Sequence, residues 1–219
     1  MIKRLLLLKA AAGVLVGATL SLSAFADSAP ADLDQGIRAL QNDWAAIQYQ
    51  TPADKREPRF EALSQQAHAL TARFATRAEP HIWEGIILSS WAGAKGGLGA
   101  LGLAKQAKAE YEAAIQIDSK ALGGSALNSL GVLYYKVPGW PVGFGDNKKA
   151  EALLLQALAL NPDGIDANYF YADYLVYRNR KSEAIAYLEK ALKAPSRAGR
   201  DVADAGRKQE ARALLDSVR

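Results

Sequence analysis

Residues 165–198 read IDANYFYADYLVYRNRKSEAIAYLEKALKAPSRA and contain the most informative pattern in the chain. Its second half has a small residue, a large residue four positions later and another small residue three positions further, at Ala184, Leu188 and Ala191. Its first half has one more small residue, Ala172, twelve positions before Ala184. Because side chains three or four positions apart share one face of an α-helix, the stretch predicts two helices that pack closely through their small residues.

The same small–large–small pattern occurs twice more upstream, which indicates an internal repeat. The further copies are Ala107, Tyr111 and Ala114, and Ala150, Leu154 and Ala157. The second and third copies begin 34 residues apart, and each copy follows a segment with a characteristic residue pair. Those segments contain Leu130-Gly131 with Tyr134, Tyr171-Ala172 with Leu175 and, for the weaker first copy, Ile86-Ile87 with Trp83. A fixed period of this length is typical of α-solenoids.

The order and spacing of these positions resemble the tetratricopeptide repeat (TPR) family, whose unit has about 34 residues. The resemblance implies an all-α fold, built as a right-handed superhelix of antiparallel helix pairs, a TPR-like α-solenoid. Strand-like alternation of useful length is absent from the sequence, which favours the same class. The repeat region is predicted at 80–198, with units at about 80–119, 124–163 and 165–198.

Two further helical segments flank the predicted repeats. Residues 27–79 carry apolar residues at spacings of three and four, which predicts an N-terminal helical hairpin, a degenerate repeat with Asp32 as the cap of its first helix. Residues 199–219 are amphipathic, and a solenoid needs a last helix with one polar side. We therefore predict a C-terminal capping helix, with docking to another subunit as the alternative.

Two segments between paired helices are longer than the repeat pattern requires, each by about seven or eight residues. The first, 93–103, is rich in glycine, and the second, 137–147, contains Trp140 and Phe144. In a solenoid both would project as loops from the same edge, where they would either contact a ligand or cap their own helix pair. The glycines do not fit a phosphate-binding loop, because no Lys-Ser/Thr ending follows them and no strand precedes them.

Residues 1–26 have the pattern of a cleavable export signal. Lys3 and Arg4 precede an apolar segment, and Ala24-Phe25-Ala26 supplies the small-x-small pattern that a signal peptidase accepts. The uncharged run at 10–22 is too short to cross a bilayer, and a retained membrane anchor is the alternative interpretation. We therefore predict cleavage after Ala26 and a bacterial periplasmic location, with membrane contact only during export.

The composition excludes several classes of function. The chain has no cysteine and two histidines, so neither a metal site nor a cofactor is expected. The 219 residues have a formal net charge of +4, but the export signal holds three bases and no acid, which leaves 24 bases against 23 acids. Nucleic acid is therefore not an expected partner, because phosphate binding needs a concentrated positive field. His81 and Glu84 lie one helical turn apart, but no nucleophile accompanies them, so no catalytic residue is expected.

The family resemblance also implies a working surface on the concave face. In TPR proteins the first helix of each pair lines this face, and here the segment 137–147 is apolar enough to bury a partner group as well. The candidate partner-binding or ligand-binding residues are His81, Glu84, Trp91, Asn128, Tyr135, Trp140, Phe144, Tyr169, Asp173 and Tyr177. Aromatic rings mixed with a few polar groups suit a peptide or a small organic ligand.

These observations predict a non-catalytic scaffold or adaptor for protein–protein interaction in the bacterial periplasm. Its expected partner is another envelope protein or a peptide segment. The alternative is a periplasmic component that binds a small apolar ligand, similar to the TPR proteins associated with TRAP-type transporters. That likeness rests on export, repeat type and the inserted segments.

Overall fold

The structure, a computed structural model, describes residues 23–219, and within that range it is all-helical, without a named β-strand. The predicted all-α class is therefore confirmed. The predicted export signal lies almost wholly outside the described residues. The helices are α1 Ser23–Gln50, α2 Arg56–Arg73, α3 Ala78–Lys95, α4 Gly97–Asp118, α5 Ala121–Lys136, α6 Asn147–Leu160, α7 Ile165–Tyr177, α8 Lys181–Lys193 and α9 Asp201–Val218, with a 3-10 turn at Ala53–Lys55.

Consecutive helices pack on each other, and the repeated small–large–small residues lie between them. All nine of these side chains in α4, α6 and α8 are at most 1% exposed. The large residue of each pattern packs where its partner helix has room for it. A Cβ atom added to Gly131 of α5 would lie 2.8 Å from Cγ of Leu154, which explains why this position has no side chain.

The first two helix pairs have similar contacts at glycines. A Cβ atom on Gly85 of α3 would lie 2.5 Å from the ring of Tyr111, and one on Gly36 of α1 would lie 2.7 Å from Leu70. In the weaker first copy of the repeat, Gly85 is therefore the small residue at the crossing, and the Ile86-Ile87 pair does not serve this role. At Gly85 a larger residue would push the two helix axes apart, because the Tyr111 ring cannot move aside, whereas at Gly36 the end of the Leu70 side chain can shift.

The odd-numbered helices form a closed ring. Each of α1, α3, α5 and α7 contacts the next odd-numbered helix, and α9 contacts α7, α8 and also α1. At this closure Tyr49 of α1 lies against Gly206 of α9, where a Cβ atom would overlap the tyrosine ring. Ala203 of α9 is buried in the same apolar cluster as Trp44 and Phe60. The two ends of the described chain therefore pack on each other.

Two local predictions are wrong. The segment 93–103 is not a loop, because α3 continues to Lys95 and α4 begins at Gly97, with only Gly96 between them at a φ of 63°. The extra residues lengthen both helices instead of projecting from them. Asp32 does not cap a helix, since α1 already includes it and its carboxylate binds Arg73.

The segment between α5 and α6 is a loop, as predicted, and spans residues 137–146. Asp146 ends the loop as the N-cap of α6, where its side chain accepts hydrogen bonds from the backbone N–H groups of Lys148 and Lys149. Trp140, at the middle of the loop, is 91% exposed. The loop is thus anchored at its end and presents an indole ring to solvent.

Candidate functional site

The ring of odd-numbered helices surrounds a central cavity of about 950 Å³. Its wall comes from α1, α2, α3, α5, α7, α9 and the segment before α9, whereas α4, α6 and α8 contribute no residue to it. A volume of about 300–1,000 Å³ is typical of sites that bind small organic molecules. Because α1 and α9 both line the cavity, the contact between these two helices completes its wall.

One side of the cavity is aromatic. Trp44 of α1 and Trp83 of α3 meet edge to face with ring centroids 6.0 Å apart, and Phe60 of α2 lies beside them. The indole Nε1 of Trp44 donates a hydrogen bond of 2.8 Å to Oγ of Ser90. Edge-to-face packing and this hydrogen bond fix the orientation of the Trp44 ring. Because Trp44 and Trp83 are only 7% and 3% exposed, they form the packed backing of this side, and the partly buried Ile86 lies at its surface.

The opposite side is rich in arginine. Asp166 at the start of α7 binds Arg207 at 2.9 Å and Arg197 at 2.7 Å. Arg197 also binds Asp204 at 2.5 Å, and Arg207 binds Glu210 at 2.5 Å. Burial acts to raise the pKa of Asp166, but the charges of Arg207 and Arg197 outweigh it and lower the pKa below its ordinary value. Asp166 therefore stays ionised at neutral pH and orients both arginines.

Arg200 differs from its two arginine neighbours. Its guanidinium carbon lies 5.0 Å from the centroid of the Trp83 ring, a cation–π geometry. Among the side chains that the structure describes, those of residues 31–97 and 99–219, it has no ion pair, and its buried Nε atom has no hydrogen-bond partner there. Arg200 thus joins the arginine-rich side to the aromatic side of the cavity wall.

Of the ten residues predicted from the sequence, only Asn128 lines the central cavity. Its Oδ1 atom is buried and has no hydrogen-bond partner within the described part of the chain. Asn128 also borders a smaller cavity of about 210 Å³, which shares Leu122, Ser125, Asp166 and Arg197 with the central one. The α5 residues that precede it, Leu122 to Gly124, have left-handed backbone angles, so the start of α5 is distorted where the two cavities meet.

The predicted residues on α3 lie away from the cavity. His81 contacts α4, with Nδ1 2.6 Å from the Glu110 carboxylate, and its Nε2 lies 3.0 Å from the carbonyl oxygen of Ala75. Glu84 is buried and lies 2.9 Å from Nδ1 of His68 in α2. Trp91 is half-buried between the two apolar clusters of the core, with Lys95 over its ring.

A second group of predicted residues does come together, at the outer edge of α5 and α7. The Tyr135 hydroxyl donates a hydrogen bond of 2.6 Å to Asp173, which also binds Lys136 at 2.8 Å. The ring of Tyr177, which is 52% exposed, lies 5.4 Å from that of Tyr135. Burial, and then the charge of Asp173, raise the pKa of Tyr135. Tyr135 and Tyr177 line a cavity of about 280 Å³ beside the loop 137–146.

The three remaining predicted residues have separate surroundings. Tyr169 is half-buried with the guanidinium of Arg207 4.7 Å above its ring, and burial raises its pKa to about 12. Phe144 packs edge to face on Tyr134 with centroids 5.8 Å apart. Trp140 is exposed at the loop tip. None of the three lines the central cavity.

The residues that sequence reasoning missed are those that ring closure brings together. They are Trp44, Phe60, Trp83, Ser89, Ser90, Arg197, Arg200 and Arg207. The TPR resemblance places the working surface on one face of α3, α5 and α7, and it assigns no residue of α1 or α9 to that surface. One signal in the sequence could have found the arginines. Arg197, Arg200 and Arg207 are spaced by three and seven positions around the start of an amphipathic helix, and that spacing places side chains on one helical face.

No protein-family model matches the chain, and no curated protein is significantly similar to it. In residues 23–219 no group of three or more histidine, aspartate or glutamate side chains is arranged to hold a metal ion. Within the same range, none of the helices has the length and apolar character needed to cross a membrane. The interpretation of function therefore rests on the geometry of the cavity.

Proposed function

We propose that this chain is an exported, TPR-like periplasmic protein that binds a small organic molecule in its central cavity, without catalysing a reaction. The observation that carries the proposal is the cavity of about 950 Å³, whose wall is built from both ends of the described chain. The cavity opens to solvent, so a small molecule can enter without a change in the ring, and its volume lies in the range typical of small-molecule sites. Of the two functions expected from the sequence, the geometry favours the small-ligand component.

Several observations support the TPR-like architecture. The small residue of one helix faces the large residue of the next in the pairs α3/α4 and α5/α6, and a similar contact occurs in α1/α2. The family resemblance implies a right-handed superhelix, and a tight superhelix would bring α9 back to α1. Residues 1–26 would direct export to the periplasm and be removed there. The intact mass of the exported protein tests the cleavage, and it should correspond to a chain that begins at Asp27.

The chemistry of the cavity wall favours binding over catalysis. Both histidines contact groups elsewhere, His68 at Glu84 and His81 at Glu110. Asp166 lines the cavity, but its lowered pKa keeps it ionised, which makes it a poor proton donor, and two arginines occupy its oxygens. An effective general acid or base needs a pKa near the working pH.

A cavity-filling variant tests the proposal. Val132 of α5 lines the cavity, and Val132→Phe adds a ring to it, whereas Leu155→Phe places the same ring on the exposed face of α6. We expect the neutral dye N-phenyl-1-naphthylamine to bind the wild type with increased fluorescence. Val132→Phe should weaken that binding by about tenfold or more, and Leu155→Phe should leave it unchanged. Equal binding by all three proteins, or no binding by any, would contradict the proposal.

The scaffold function is a second candidate, and the loop 137–146 favours it. Trp140 is 91% exposed and Val142 is 62% exposed, so two apolar side chains project side by side from a loop that Asp146 anchors. The test is capture of a protein from envelope extract. The scaffold function is supported if the wild type and Val132→Phe capture the protein and Trp140→Ser does not. If the wild type and Trp140→Ser capture the protein equally, the loop is not the binding surface.

A further inference from the structure

The cationic side chains of the cavity wall outnumber its acidic ones. Asp166 is the acid on the wall, and three of the bases are neutralised by it or by acids just behind the wall. The bases on the wall are Arg56, Lys136, Arg197, Arg200 and Arg207. Lys136 pairs with Asp173, Arg197 with Asp166 and Asp204, and Arg207 with Asp166 and Glu210. Arg56 donates to the carbonyl oxygen of Thr51.

Arg200 is the base of the wall for which the described side chains supply neither an ion pair nor a partner for Nε. Burial, followed by the charge of Arg197, lowers its pKa, and the charges of Asp166 and Asp204 offset only part of this effect. A cation that is partly removed from water gains from a direct anionic partner, which the described side chains do not supply. The contact with the Trp83 face compensates in part, since a cation over an indole ring is attracted to it.

We propose that the ligand of the central cavity is a small organic carboxylate with an apolar body. Its carboxylate binds the guanidinium of Arg200, and its body lies against partly buried apolar side chains of the wall, Ile86 and Val132. This inference rests on the proposed function, because it names the chemical class that the same cavity would take.

The arrangement of the wall explains why one ligand would use both sides. Arg200 lies over the ring of Trp83, and the partly buried Ile86 packs on the apolar cluster that contains Trp83, so the cation and the apolar part of the wall are neighbours. A ligand bound there places its charged end and its apolar end on adjacent surfaces without leaving the cavity. A hydrogen bond between two charged groups is stronger than one between neutral groups, so the carboxylate adds affinity beyond that of the apolar body.

Calorimetric titration with two probes of equal length tests the inference. Decanoate and 1-decanol share an apolar chain and differ in the charge at its end. We expect the wild type to bind decanoate about tenfold or more tightly than 1-decanol. Arg200→Gln should remove about that factor for decanoate and leave 1-decanol unchanged. Arg212→Gln, an exposed arginine on the same helix, should behave as the wild type.

The outcomes separate this inference from the function on which it rests. Equal binding of decanoate and 1-decanol by the wild type would overturn the carboxylate while the cavity remains a ligand site. A preference for decanoate that survives Arg200→Gln would overturn the assignment to Arg200. Binding of the naphthylamine dye without binding of decanoate would also overturn the inference, and failure of all three probes to bind would remove the proposed function itself. The wild-type comparison of the two probes decides the question if Arg200→Gln fails to fold.

Discussion

Gly206 is the residue on which ring closure depends most. In α9 it faces Tyr49 of α1, and a methyl group in its place would overlap the base of the tyrosine ring, which cannot swing away as the tip of a long side chain can. Replacing glycine by alanine within a helix ordinarily stabilises it by about 1 kcal/mol. At Gly206 the overlap should reverse that sign.

We therefore predict that Gly206→Ala lowers the free energy of unfolding by about 1–2 kcal/mol. Gly102 is the matched control, because it lies within α4 and a Cβ atom there would meet no heavy atom within 4 Å. Gly102→Ala should raise the free energy of unfolding by about 0.5–1 kcal/mol. Urea unfolding measures both changes, and a stabilising effect of the same size at both positions would contradict the close contact of α1 with α9.

Asp166 makes the stability depend on pH. The nearby arginines lower its pKa in the folded chain, so it contributes stability that is present above the ordinary carboxyl value of about 4 and is lost as the pH falls through the folded value. Asp166→Asn should lower the free energy of unfolding by about 2 kcal/mol at pH 7, because the ion pairs with Arg197 and Arg207 are partly buried. The difference from the wild type should shrink below about pH 4.

The control for this prediction is Asp163→Asn, since Asp163 lies nearby and its pair with Lys190 is exposed. It should change the free energy of unfolding by less than about 0.5 kcal/mol at either pH. Unfolding in urea at pH 7 and at pH 3.5 distinguishes the two variants. A cost for Asp166→Asn that is the same at both pH values would show that its charge is not the cause.

At the scale of the helices, the loop 137–146 contains both a packed and an exposed apolar side chain. Phe144 packs on Tyr134 and lies under Lys108 of α4, whereas Val142 points into solvent. Phe144→Ala should lower the free energy of unfolding by about 1–3 kcal/mol, and Val142→Ala should change it by less than about 0.5 kcal/mol. Thermal unfolding measures both. Equal effects would mean that the loop does not pack on α4 and α5.

The helices are the level at which the sequence is most informative. The small and large positions of the repeat identified α4, α6 and α8 and their partners, because helical spacing encodes which face is buried. The glycines at 93–103 predict a loop, but the break between α3 and α4 needs only Gly96 and Gly97, which have φ angles of 63° and 59°. Glycine composition does not distinguish two left-handed residues from a flexible segment.

At the scale of the whole molecule, ring closure controls the site. The contact of α1 with α9 joins residues about 160 positions apart in the chain, such as Tyr49 and Glu210, whose side chains lie 3.4 Å apart. Local periodicity does not encode such a contact, so the sequence could not place Trp44 and Arg200 in one cavity. Asn128 is the exception. The face of α5 that the TPR resemblance assigns to the concave surface is also the face that lines the central cavity.

The most direct test of the account is a crystal structure of the protein grown with decanoate. We predict that α9 packs on α1 with the Tyr49 ring over Gly206, and that decanoate occupies the central cavity with its carboxylate on Arg200 and its chain against Ile86 and Val132. A gap between α1 and α9, or decanoate bound only outside the ring, would contradict the account.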